Sequence, residues 1–207
     1  MISRRNCLGA ALGLPGAALF GAPAYAAGGQ LEEPLIDSVR SALSAAISQA
    51  APPSLEFRSP AAQAHFADWR DTMSDRLKPK KSETQTRNEF LQSVWYESKR
   101  AGLETSLVMG LIQVESNFRK FAVSSVGARG YMQIMPFWTR VLADGDAGKL
   151  FHMQTNLRFG CVILRHYLDR ERGDVFMALG RYNGSRGQAA YPNAVLGARQ
   201  RWINSAA

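Results

Sequence analysis

Apolar residues recur along this chain at helical spacing. Leu31, Leu35, Val39, Leu43 and Ile47 fall every four residues, and Phe66, Trp69, Met73 and Leu77 every three or four, so each set marks one face of a helix. Ala51-Pro52-Pro53-Ser54 separates the two, and the charged stretch Lys78-Pro79-Lys80-Lys81-Ser82 reads as a solvated linker. A third helix is expected over Thr86–Arg100, with Phe90, Leu91, Val94 and Trp95 on one side and Gly102 as its stop. A fourth covers Glu104–Ser116, followed by a Gly/Ser-rich loop over Ser124–Gly130 and a short helix over Pro136–Leu142. A long helix is expected over Thr155–Arg172, another from Gly173-Asp174, a loop over Tyr182–Tyr191 and a last helix over Ala194–Asn204. No period-two run persists long enough to argue for a sheet, so the fold class is all-α, or α-dominated α+β.

The first residues break this pattern. Met1–Asn6 carry two arginines and no acid, Cys7–Pro23 are almost wholly apolar, and Ala24-Tyr25-Ala26 has the small-x-small form of a signal-peptidase site. Residues 1–26 therefore read as a cleaved export signal, and Arg4-Arg5 also suits a twin-arginine signal. The apolar run is short and broken by Gly13, Pro15 and Gly16, which argues against a stable membrane span after processing. Removing it takes out Arg4 and Arg5 and lowers the net charge from +8 to +6, still basic. Cys161 is then the one cysteine left, so stability must come from a core and not from an internal disulfide. With 46% hydrophobic and 20% charged residues the chain fits a globular protein and not a disordered or collagen-like one.

Metal chemistry has no support in the pattern. His65, His152 and His166 lie far apart, and a lone cysteine supplies no thiolate site. Gly127 and Gly130 lack the Lys-Ser/Thr of a phosphate loop. The anomaly is Glu115, which sits three, four and seven residues after Ile112, Leu111 and Val108, on the apolar face of its helix. A carboxyl there must pair, protonate or do chemistry, and burial raises its pKa toward that of a proton donor. By position alone it could equally escape to solvent at the helix end.

Three segments then stand in register. Gly110-Leu-Ile-Gln-Val-Glu115-Ser116-Asn117-Phe118, Gly127-Ala-Arg-Gly130-Tyr131-Met132-Gln133-Ile134-Met135-Pro136 and Ala178-Leu-Gly-Arg-Tyr182-Asn183-Gly184 resemble, in order and spacing, the motifs of the family 1 lytic transglycosylases. The resemblance covers about Glu89 to Trp202, includes Asn156, Gly160 and Leu164 in the long helix, and divides the chain into three parts. These are an export signal (1–26), a helical region of uncertain role (27–84) and a lysozyme-like catalytic domain (85–207) preceded by two or three helices.

The resemblance implies cleavage of peptidoglycan between N-acetylmuramic acid and N-acetylglucosamine, with a 1,6-anhydro product and no metal or organic cofactor. It makes Glu115 the single catalytic acid and places Ser116, Met132, Gln133, Tyr182 and Asn183 around it as substrate-binding residues, with Tyr191 shaping the cleft. Each has a plainer reading beside this one. Gln133 offers a donor and an acceptor to a sugar, or faces solvent. Tyr182 hydrogen-bonds Glu115, or is a buried tyrosine satisfied elsewhere. Ser116 positions sugar or caps its helix, Asn183 belongs to a ligand contact or a turn, Met132 is a groove wall or a core residue, and Tyr191-Pro192 is a cleft residue or a rigid turn.

Two departures from the family pattern stand out. Tyr131 occupies the position of the usual leucine, and Arg181 adds a cation beside the site that would oppose an acid if it reached Glu115, so it is expected to point away. Two rival functions remain: a lysozyme-type hydrolase using Asp144 or Asp146 as second acid, and a non-catalytic peptidoglycan-binding scaffold for an envelope machine. The expected partner is the peptidoglycan glycan strand, whose carboxylates suit a basic protein. Nucleic acid is not expected for an exported chain with dispersed charge.

Overall fold

A computed structural model describes residues 39–41, 43–44, 54–140 and 145–204, and the structural statements below concern these. The expected export signal, the apolar positions Leu31, Leu35 and Ile47, and Asp144 lie outside them. The described chain forms α1 (Pro60–Leu77), α2 (Thr84–Arg100), α3 (Thr105–Ser116), α4 (Phe137–Arg140), a 3-10 turn (Ala147–Phe151), α5 (Met153–Arg170), α6 (Val175–Asn183), α7 (Ala190–Arg199) and a closing 3-10 turn (Gln200–Trp202). Among these residues there is no strand, only two isolated antiparallel bridges, Val123 to Arg129 and Arg129 to Ile134. The all-helical expectation holds.

Local chemistry sets the helix starts. Ser59 accepts from the Ala62 amide with Pro60 opening α1, Glu83 accepts from the Gln85 amide at 2.7 Å ahead of α2, and Asp174 accepts from the Met177 amide at 3.0 Å ahead of α6. The expected loop over Tyr182–Tyr191 is shorter in fact. α6 runs through Asn183 to a left-handed Gly184, and α7 starts at Ala190, because Pro192 suits the first turn of a helix, where no intrahelical donor is needed.

α3 is the central element. Thr105 to Ile112 are all buried, as expected of a helix apolar on nearly every side. It lies so close to α7 that a Cβ on Gly110 would meet the Arg199 amide nitrogen at 2.7 Å and the Val195 carbonyl oxygen at 2.9 Å. α1, whose role the sequence leaves open, docks on α2: Phe66, Trp69, Met73 and Leu77 join the same buried cluster as Phe90, Leu91 and Val94, and Trp69 meets Trp95 at 4.8 Å. Val39 and Leu43 are buried in that cluster too.

The segment Lys78–Ser82 is exposed, as expected of a solvated linker, except at Lys81. Lys81 turns inward, donates to the Tyr131 hydroxyl at 2.7 Å and lies over the Phe90 and Tyr131 rings at 5.0 and 4.6 Å. Its alkyl stem and two aromatic faces make partial burial favourable, at the expense of its charge. Burial, and the nearby Lys120, push its pKa down to about 8. Burial likewise pushes the Tyr131 phenol up to about 12.

Candidate active site

Glu115 occupies the last turn of α3, half-buried. Burial pushes its pKa up to about 7, and a hydrogen bond donated by the Tyr191 hydroxyl at 2.5 Å pulls the other way and loses. Tyr191 itself is buried in the first turn of α7, with its own pKa raised well above the usual range by burial and then by Glu115, so it stays a donor. The packing of α3 against α7 thus brings together two groups 76 positions apart.

Ser116, Tyr182 and Gln133 converge on the loop between α3 and α4, residues 117–136, and hold its backbone. The Ser116 hydroxyl donates to the Tyr131 carbonyl at 2.7 Å and to that of Ile112 at 3.2 Å, so it braces the helix end. Tyr182 donates to the Met132 carbonyl at 2.8 Å and lies near enough to Tyr191 to help raise that phenol's pKa, while the phenol that donates to the acid is Tyr191's. Gln133 is buried at φ 49°, and its amide nitrogen donates to the Gly130 and Ala122 carbonyls at 2.9 and 3.2 Å, which commits its donor to the loop. Met132 is a core residue and not a groove wall: it is fully buried and its sulfur packs on the backbone at Gly160. Asn183 is buried as the last residue of α6.

Asn156, which the resemblance includes without a role, is a further anchor of this loop. Asn156 on α5 accepts from the Met132 amide at 2.8 Å and donates to the Arg129 and Leu150 carbonyls at 2.9 and 2.8 Å. Its signal was present as a polar residue among the buried positions of a long helix, but the partners are backbone groups that no motif displays. Arg181 points away from the acid as expected, pairing with Glu171; Arg186 joins the same carboxylate at 2.7 and 2.9 Å. These bonds, Arg186's first, hold Glu171 down to about 2.

Among the described residues no second carboxylate acts on Glu115, and Asp144 lies outside them. Asp146 is exposed and accepts from the Gly148 amide at 2.8 Å, capping the 3-10 turn. The described residues hold no cluster of metal-ligating side chains, and no helix among them is long and apolar enough to cross a membrane.

Among the described residues Glu115 is the carboxyl whose surroundings hold a proton near neutrality, an arrangement chemically able to serve as a general acid. The chain belongs to the Transglycosylase SLT domain family, which matches residues 92–204. It is 35% identical over 114 residues to a transglycosylase of Enterobacteria phage PRD1, covering 49% of this chain and 42% of that protein. It is 47% identical over 47 residues to membrane-bound lytic murein transglycosylase C of Haemophilus ducreyi, covering 23% and 13%. Among solved structures it aligns with an inactive variant of the lytic transglycosylase Slt from Pseudomonas aeruginosa, at 20% identity and a TM-score of 0.44, over 69% of this chain and 27% of that one. The chain spans less than half the length of these relatives.

Proposed function

We propose that this chain is an exported peptidoglycan lytic transglycosylase. It cleaves the β-1,4 bond between N-acetylmuramic acid and N-acetylglucosamine and leaves a 1,6-anhydro-N-acetylmuramic acid end. Membership of the SLT family and the names of its relatives support the reaction class and an envelope location. The single observation that carries the assignment of the acid is Glu115: a carboxyl at about pKa 7, bonded by a neutral phenol and, among the described residues, by no cation.

The chemistry follows from that environment. With its proton retained near neutral pH, Glu115 donates to the glycosidic oxygen as the C1–O bond breaks. The carboxylate so formed accepts the proton of the muramic acid C6 hydroxyl while that oxygen closes on C1. The substrate's acetamido oxygen supports the electron-poor C1 in between, the part a second carboxylate plays in ordinary hydrolysis. Tyr191 stays protonated throughout and orients the carboxyl through Oε1. Ser116, Gln133 and Tyr182 act through the loop backbone they brace, as positioning residues. Incubating the mature chain with purified sacculi tests the reading: soluble muropeptides with anhydro ends are expected, whereas new reducing ends would identify a hydrolase.

A further inference from the structure

Two cavities lie side by side on the flank of α3. One, of about 310 Å³, is lined by Arg76, Lys80, Gln113, Phe118, Arg201 and Trp202 together with Pro79. The other, of about 640 Å³, is lined by Lys80, Arg119, Lys120 and the apolar side of the loop from Phe118 to Val123. They share Lys80 and Phe118 and so form one groove. Its lining carries five cations and no carboxylate, and none of the five meets a carboxylate among the described residues: Arg76 donates to the Arg201 and Ile203 carbonyls and Arg119 to that of Ser116, bonds that leave their charge uncompensated. Its apolar floor is equally open: Phe121 is 71% exposed and Val123 60%. Lys81 lies just beneath, and the pull of Lys120 on its charge is an independent sign of the local positive field.

Gln113, in the groove, and Glu115 are two residues apart on α3, hence about 200° apart around it. The groove and the acid therefore occupy opposite flanks of one helix end. A single-site substrate would not need both, whereas a branched anionic polymer would meet both. We infer that this groove is a second binding site, for the carboxylate-bearing peptide stems of peptidoglycan, separate from the acid at Glu115. The inference rests on the proposed substrate and adds to it a preference for strands that carry stems over bare glycan. Cations without counter-ions favour carboxylates, and the exposed Phe121 ring, with Val123 beside it, accepts the apolar parts of a stem.

Binding of the full chain carrying Glu115→Gln, measured on immobilised peptidoglycan with no turnover, tests this. The expected result is about tenfold tighter binding to stem-bearing than to amidase-stripped glycan at low salt, fading as salt rises. Adding Lys80→Ser and Lys120→Ser removes the difference, and Lys80→Arg with Lys120→Arg retains it. Equal binding to both glycans, or a preference that survives the serine changes, overturns the inference. So does loss of binding to phosphatidylglycerol vesicles with peptidoglycan binding unchanged, which assigns the groove to lipid headgroups. The reaction itself is read separately, from product ends. A protein that releases no anhydro product yet shows the stem preference keeps the groove and loses the proposed reaction, and the converse result does the opposite.

Discussion

Glu97 and Glu115 are both acids on the apolar faces of helices, and the protein treats them in opposite ways. Glu97 on α2 is almost fully buried and receives the Arg158 guanidinium at 2.9 Å through both Nε and Nη2, with the Gln154 amide on the same oxygen. That pair ties α2 to α5. Glu115 is less buried, has a phenol and, among the described residues, no cation, and burial pushes its pKa up to about 7. A buried charge given a counter-charge is structural; a buried acid given only a neutral donor keeps its proton and can lend it.

Replacing each acid separates the two roles. Glu115→Gln is expected to cut turnover of sacculi by about a thousandfold, since it removes the proton donor and leaves the shape. Circular dichroism of that variant should match wild type, and residual activity within tenfold of wild type would move the chemistry elsewhere. Glu97→Ala is expected to lower stability by about 3 kcal/mol in urea denaturation, because it leaves the buried Arg158 guanidinium without this carboxylate. A loss of activity without a loss of stability there would erase the contrast.

The pH dependence of stability separates them further. In the folded protein Glu115 keeps its proton up to about pH 7, against the ordinary 4.5 when unfolded. The folded state therefore binds more protons between those values, so this group's stabilising contribution is complete below 4.5 and is lost as the pH rises to 7. Glu115→Gln should thus make the protein more stable at pH 8, by no more than about 3 kcal/mol, and equally stable at pH 4. Parallel stability curves for wild type and variant would contradict the raised pKa. Smallest in effect, Tyr191→Phe removes the bond that lowers the pKa of Glu115, so the alkaline limb of kcat/KM should move upward by about one unit or less. A downward shift would mean that the phenol favours the neutral acid.

The comparison also shows what a sequence can display. Glu97 stands three and seven residues after Val94 and Phe90, the same kind of apolar-face position that singles out Glu115, yet it is a paired structural acid. Helical position finds buried carboxyls; it does not find their partners, which come from other helices. The helices themselves were legible because apolar spacing is local, as Phe66, Trp69, Met73 and Leu77 illustrate. The start of α7 was not, because glycines and Pro192 read as loop chemistry, and this hid Tyr191 in a helical turn facing Glu115. The groove-wall reading of Met132 and the solvated reading of Lys81 fail for a related reason. A methionine's side of the backbone, and a lysine's choice between water and two aromatic faces, are decided by tertiary packing.

The central claim is that one acid, Glu115, carries the reaction without a second carboxylate. Mass analysis of muropeptides released from purified sacculi tests it most directly. Wild type should release fragments ending in 1,6-anhydro-N-acetylmuramic acid and Glu115→Gln essentially none; reducing-end fragments from wild type, or anhydro fragments from the variant at comparable yield, would contradict it.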